Sequence, residues 1–120
     1  NQLPGAEREG LELVVKNSGE LQMLNSVVEE LASDPGMVSI IGPLFSNNVK
    51  NVIPVIEKYQ MPIFTPTAST PGLTQLSSYV FRNAMTRENQ GRYLAEYAFN
   101  KLNLRRMVIL YPDEPYGVEM

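Results

Sequence analysis

Cysteine is absent from the 120 residues, and so is histidine. The first absence removes disulfides, thiolate catalysis and cysteine-type zinc sites together. The second is more restrictive. Without an imidazole there is no Ser-His-Asp triad, no usual transition-metal ligand and no ordinary side chain titrating near neutral pH. Hydrolytic chemistry would have to rest on carboxylates, lysine or tyrosine alone. Basic runs are lacking as well. The formal net charge is -3, and no basic stripe interleaved with aromatics is present to follow a phosphate backbone and stack bases, so nucleic acid is not an expected partner. No apolar stretch approaches the roughly 20 residues that cross a bilayer, and no segment reads as a secretory leader, which processing removes in any case. Gly42 has no glycine partner at the spacing of a P-loop or a dinucleotide fingerprint. Spaced metal ligands are missing too. Neither a metal nor a cofactor is expected.

What remains leans toward binding. Apolar residues make up 43% and charged residues 19% of the chain, enough for a buried core and too little charge for disorder. Residues 11–16, "LELVVK", read as a strand closed by the turn cluster Asn17-Ser18-Gly19. Leu21, Leu24, Val27, Val28 and Leu31 then recur at helical spacing, until Asp34-Pro35-Gly36 stops the pattern. Residues 37–41 read as a second strand, apolar enough for burial on both faces. A helix is expected over residues 46–59 with Val49, Val52, Ile53 and Ile56 inward, kinked or delayed by Pro54. Residues 61–64 form a third strand and residues 65–78 a long polar loop. Residues 79–82 are extended. Thr86 opens a helix with Tyr93, Leu94, Tyr97 and Ala98 as its stripe and Leu102 near its end, and residues 107–111, "MVILY", form the most apolar strand. This alternation predicts an α/β fold: one domain over residues 1–120, with a mostly parallel open sheet and helices on both faces.

In such sheets, ligands bind beyond the carboxyl ends of the strands. Three polar clusters follow strands on that edge: Ser46-Asn47-Asn48, the run 65–70 "TPTAST", and the run 113–117 "DEPYG". A helix start there offers unpaired N–H groups and the positive end of the dipole to a small anion or zwitterion. Ser46 adds a hydroxyl, residues 67–69 add carbonyls and hydroxyls, and the Tyr116 ring is able to pack over a ligand. Plainer readings stand beside these. Ser46 is a standard N-cap residue, residues 65–70 suit a mere turn, and Tyr116 suits loop packing. Asp113 and Glu114 suit a solvated acidic turn, and "TRENQGR" suits a capped helix start with a charged face.

The order of the segments resembles the leucine/isoleucine/valine-binding family of periplasmic solute-binding proteins. "LELVVKNSG", "VSIIGPLFS", "KYQMPIFTPTAST", "YVFRNAMTRENQGRYLAEYAFNKL" and "RRMVILYPDEPYG" follow one another as that family's signposts do, over nearly the whole chain. The resemblance implies the N-terminal lobe of a type I periplasmic-binding-protein fold, flavodoxin-like or Rossmann-like, without its first strand and second lobe. It implies that Ser46 holds a ligand α-carboxylate and that the Thr67 carbonyl receives the ammonium. Ser69 would supply a hydroxyl, Ala68 would lie between them, and Tyr116 would stand as the tyrosine before glycine in the later loop. Thr67 stands where the family often has a smaller residue, a departure that bears on pocket width and ligand choice. The implied whole is a periplasmic or extracellular protein, lipoprotein-anchored in some members, that hands an amino-acid-like ligand to the membrane permease of an ABC transporter.

A parallel sheet lacking a central strand leaves two backbone edges unpaired. The expectation is therefore a piece of a longer protein, whose gap is filled by its natural context or by a second copy in a homo-oligomer. Two other functions are carried beside transport. Related lobes activate cell-wall synthases from lipoproteins or serve as sensors through protein contact, and "GPLFSNNV" also resembles the former. An enzyme is the weakest reading, with Ser46 as nucleophile and Lys50, one turn on, as its base.

Overall fold

The structure is a computed structural model that describes residues 10–19 and 21–110. In chain order the elements are α1 (Leu21–Ala32), β1 (Ile40–Ile41), α2 (Ser46–Tyr59), β2 (Ile63–Thr65), a 3-10 turn (Leu73–Gln75), β3 (Val80–Arg82) and α3 (Arg87–Asn100). The three strands form one parallel sheet in the order β1-β2-β3. Its register aligns Ile41 with Phe64 and Phe64 with Phe81, so the three chains leave the sheet along one edge. The α/β class and the parallel sheet expected from the alternation are both present.

Burial follows the alternation of side chains along each strand. Ile63 and Val80 point to the face covered by α1 and α2. There they pack with Leu24, Val28, Ala32, Val49, Val52, Ile56, Met61, Ala68 and Leu73. Pro54 lies inside α2 without interrupting its span, although the missing N–H leaves one helical hydrogen bond unmade. Gln60 ends the helix in a left-handed conformation, its N–H donating to the Glu57 and Ile56 carbonyls. Outside the core, Lys58 Nζ and the Tyr59 hydroxyl donate to Glu29 Oε1 at 2.7 and 3.1 Å, linking α2 to α1.

The opposite sheet face is bare among the described residues. Ile41 is 76% exposed, and the Phe64 and Phe81 rings stack beside it with centroids 5.1 Å apart. The strand expected over residues 37–41 is therefore confined to Ile40–Ile41 and covered on one face, not two.

Two expected strands are absent from the described residues. Residues 11–16 carry no strand, and Lys16 instead pairs with Glu30 of α1 at 2.7 Å. Residues 107–110 carry no strand either, Leu110 is 94% exposed, and Tyr111, the last residue of that expected strand, lies outside the described residues. A helix satisfies its backbone internally, whereas a strand does so only through a neighbour. Neither run has a pairing partner among the described residues, so apolar composition alone does not make it a strand. Helix α3 also departs from expectation. Of its predicted stripe only Ala98 is buried, while Tyr93, Leu94 and Tyr97 are all more than half exposed. Its start is as expected, with Thr86 Oγ1 accepting from the Asn89 N–H at 3.2 Å. No helix among the described residues is long and apolar enough to cross a membrane.

Candidate ligand-binding site

The site begins where β1 hands over to α2. Gly42 is buried at φ +126°, a conformation that side-chain-bearing residues rarely adopt, and its N–H still closes the ladder to the Phe64 carbonyl at 2.8 Å. The Gly42–Pro43 peptide is cis. After this turn, Phe45 occupies the N-cap position of α2 in extended geometry, with no side-chain cap. Ser46 is thus the first helical residue rather than the cap, which removes the plain N-cap reading. The early amides of α2 receive no side-chain cap, and the helix dipole adds partial positive charge there.

The loop after β2 is fastened against this helix start by side chains. Thr65 is 1% exposed, and its hydroxyl donates to the Pro43 carbonyl at 2.7 Å while accepting from the Ala68 N–H at 3.3 Å. One β-branched strand residue therefore satisfies two backbone groups from two loops. Thr67 Oγ1 donates to the Leu44 carbonyl at 2.6 Å, tying the same loops again. Ser46 Oγ accepts from the Thr70 N–H at 3.2 Å. Since that bond occupies a lone pair of the hydroxyl, its proton stays available as a donor. No acceptor for it lies among the described residues.

Four of the five sequence-predicted residues are thus placed at one sheet edge. Ser46 and Ser69 are partly buried and Thr67 is exposed. Ala68 is 1% exposed and packs its methyl into the core, so only its backbone faces the edge chemistry. Among the described residues, neither Ser69 Oγ nor the Thr67 carbonyl carries a hydrogen bond. Tyr116, Asp113 and Glu114 lie outside the described residues. A groove of about 680 Å³ opens on the bare sheet face beside this edge, lined by Ser39, Ile41, Phe64, Thr65, Pro66, Phe81, Arg82 and Asn83. None of Ser46, Thr67, Ala68 and Ser69 lines it. Lys50 is exposed on α2, the opposite of the desolvation that a lysine base needs. No group of three His, Cys, Asp or Glu side chains suited to a metal exists among the described residues.

Two participants were not singled out from the sequence. Arg82, at the end of β3, donates from Nη1 to the Thr70 carbonyl at 2.7 Å. Arg87, the first residue of α3, donates from Nη2 to Thr70 Oγ1 and from its backbone N–H to the Ser69 carbonyl. Arg82 was findable, because "VFR" ends a strand on the same edge as the two polar loops. For Arg87 the sequence held no such signal, since a charged residue in a first helical turn ordinarily faces water.

The profile of the periplasmic binding protein family matches residues 12–120. Among solved structures, an ABC transporter substrate-binding protein from Desulfitobacterium hafniense, in complex with Leu, is 27% identical with a TM-score of 0.79. The match covers 91% of this chain and 33% of that one. A counterpart from Sphaerobacter thermophilus is 26% identical with a TM-score of 0.79, over 91% of this chain and 31% of the other. The branched-chain amino acid transporter substrate-binding protein LivJ from Streptococcus pneumoniae, in complex with isoleucine, is 26% identical with a TM-score of 0.64. It covers 78% of this chain and 27% of that protein. The chain spans about a third of the length of these structures. No curated protein matches it. The family and these structures are substrate-binding proteins of transporters, not enzymes.

Proposed function

The chain belongs to the periplasmic binding protein family, and from that premise we propose that it is part of an N-terminal ligand-binding lobe for a small amino-acid-like solute. In this reading the Ser46 hydroxyl and the first amides of α2 hold the ligand carboxylate. The Thr67 carbonyl and Ser69 hydroxyl receive its ammonium, and Tyr116 packs against it. The whole protein works outside the cytoplasm and passes its ligand to the permease of an ABC transporter. Leucine and isoleucine in the neighbouring structures support a carboxylate and an ammonium as the shared handles.

One observation carries the proposal. Ser46 Oγ accepts from the Thr70 N–H, which leaves its proton free to donate beside a helix start without a side-chain cap. A hydroxyl donor beside a helix N-terminus suits an anionic oxygen. Titration calorimetry of the full-length protein against the twenty amino acids tests it. At least one is expected to bind, and Ser46→Ala is expected to weaken that binding by about 10- to 100-fold, the loss of one charge-assisted hydrogen bond. Binding of none would sink the reading and turn attention to a lobe that works through protein contact.

A further inference from the structure

Thr70 has three hydrogen-bonding groups, and each is engaged by a different element. Its N–H donates to Ser46 Oγ at the start of α2, at 3.2 Å. Its carbonyl accepts from Arg82 Nη1 at the end of β3, at 2.7 Å. Its hydroxyl accepts from Arg87 Nη2 at the start of α3. Thr70 was part of a polar loop run in the sequence and holds no role among the ligand contacts proposed above. We infer that Thr70 is the positioning residue of the site, the junction that occupies one lone pair of the Ser46 hydroxyl and pre-forms the loop over residues 67–70 before any ligand arrives. Arg82 and Arg87 are its two cationic anchors.

A serine hydroxyl rotates freely and both donates and accepts. An N–H aimed at its oxygen takes up one lone pair and biases the proton away from that bond, which lowers the ordering needed on binding. That N–H is held in place only if the Thr70 peptide is itself fixed, and the two guanidinium contacts fix it at its remaining polar groups. Arg87 is 6% exposed, where hydrogen bonds to a charged donor are strong because water competes weakly. Its own N–H holds the Ser69 carbonyl at 3.1 Å, so the first residue of α3 grips two successive loop residues. The Ser46 hydroxyl is therefore oriented by residues on β3 and α3 that need not touch ligand. The ligand consequence rests on the carboxylate reading above; the pre-formed loop does not.

Hydrogen–deuterium exchange on the ligand-free full-length protein, read on the amides of residues 67–70 and of α2, tests the junction. Thr70→Val keeps shape, N–H and carbonyl but removes the acceptor for Arg87. It is expected to speed exchange of the loop amides by ~10-fold or more, the equivalent of one hydrogen bond to a charged group, while α2 exchanges as in the wild type. Thr70→Ser restores the acceptor and is expected to exchange like the wild type. Arg82→Met, which leaves the hydroxyl contact intact, is expected to loosen the same amides. Loop exchange unchanged in Thr70→Val and Arg82→Met overturns the inference. So does a serine variant as fast as the valine variant, or α2 accelerated equally with the loop. Calorimetry with whichever amino acid the wild type binds then reads the coupling. Thr70→Val is expected to weaken it about tenfold with Thr70→Ser near wild type, and equal affinities for all three overturn the link to the site. If the wild type binds no amino acid, the carboxylate reading falls while the exchange data still decide the junction.

Discussion

Helices α2 and α3 are equal in length, at 14 residues each, and both carry large apolar side chains at helical spacing. In α2, Val49, Val52 and Ile56 are fully buried against the sheet and α1. In α3, Tyr93, Leu94 and Tyr97 stand more than half exposed, and a shallow groove of about 710 Å³ runs along them. An apolar stripe thus states what a helix is able to bury. It does not supply the surface that buries it. α2 has β2 and β3 beneath it and α1 beside it, whereas among the described residues α3 is anchored at its first residue and at Ala98.

The sharpest way to break this contrast is to remove one apolar side chain from each helix of the 120-residue chain. Ile56→Ala should lower its stability by about 2–5 kcal/mol, because the side chain is fully enclosed and its space cannot collapse completely. Leu94→Ala should change it by about 0.5 kcal/mol or less. Urea unfolding of the two variants measures both, and equal losses would show that α3 is packed as firmly as α2.

A subtler difference lies at the helix starts. α3 is capped by the Thr86 hydroxyl, and α2 has no side-chain cap. Thr86→Ala should therefore cost about 1 kcal/mol of α3 stability, visible as faster amide exchange confined to residues 87–90. Acceleration spread evenly over both helices would contradict a local role.

The smallest expected effect concerns the tie between α1 and α2. The hydrogen bond from Lys58 chiefly, then that from Tyr59, holds the Glu29 carboxyl below its ordinary value, and the Glu29 contact raises Lys58. For the carboxylate, the contribution is present above the ordinary value of 4.5 and fades as pH falls through the lower folded value. For the lysine, it is present below 10.5 and fades as pH rises through the higher folded value. Both groups are solvent-exposed, so screening keeps the effect slight. Glu29→Gln should melt marginally below the wild type at neutral pH and coincide with it in strong acid. A gap that persists in acid would mean the side chain acts by packing.

Much of this architecture was legible from residue order. The α2 span from Ser46 to Tyr59 agrees at both ends, because the cue is local: polar residues, an apolar stripe at helical spacing and a turn. The parallel sheet edge that gathers Ser46 with residues 67–70 was legible from strand–helix alternation. Residues 11–16 and 107–110 misled, since strand formation depends on a distant partner that composition does not encode. Ser46 was legible as a polar residue at the strand-to-helix junction but not in its local bonding. Its hydroxyl meets an amide 24 residues onward, instead of the amides of its own helix. Arg87 escaped for a related reason: the inward turn of a first helical residue is decided by the loop that receives it.

Thr65 shows how narrowly one position is specified by such long-range bonding. It is a buried strand residue whose branched side chain suits β2, and its oxygen serves Pro43 and Ala68 at once. Valine would match its shape and leave both partners orphaned, while serine would keep the oxygen and lose the methyl that fills the space. Of the twenty side chains, only this one is both a hydrocarbon wedge and a two-way relay. Substitution at position 65 is thus constrained by two independent requirements at once, and a change that meets one of them fails the other.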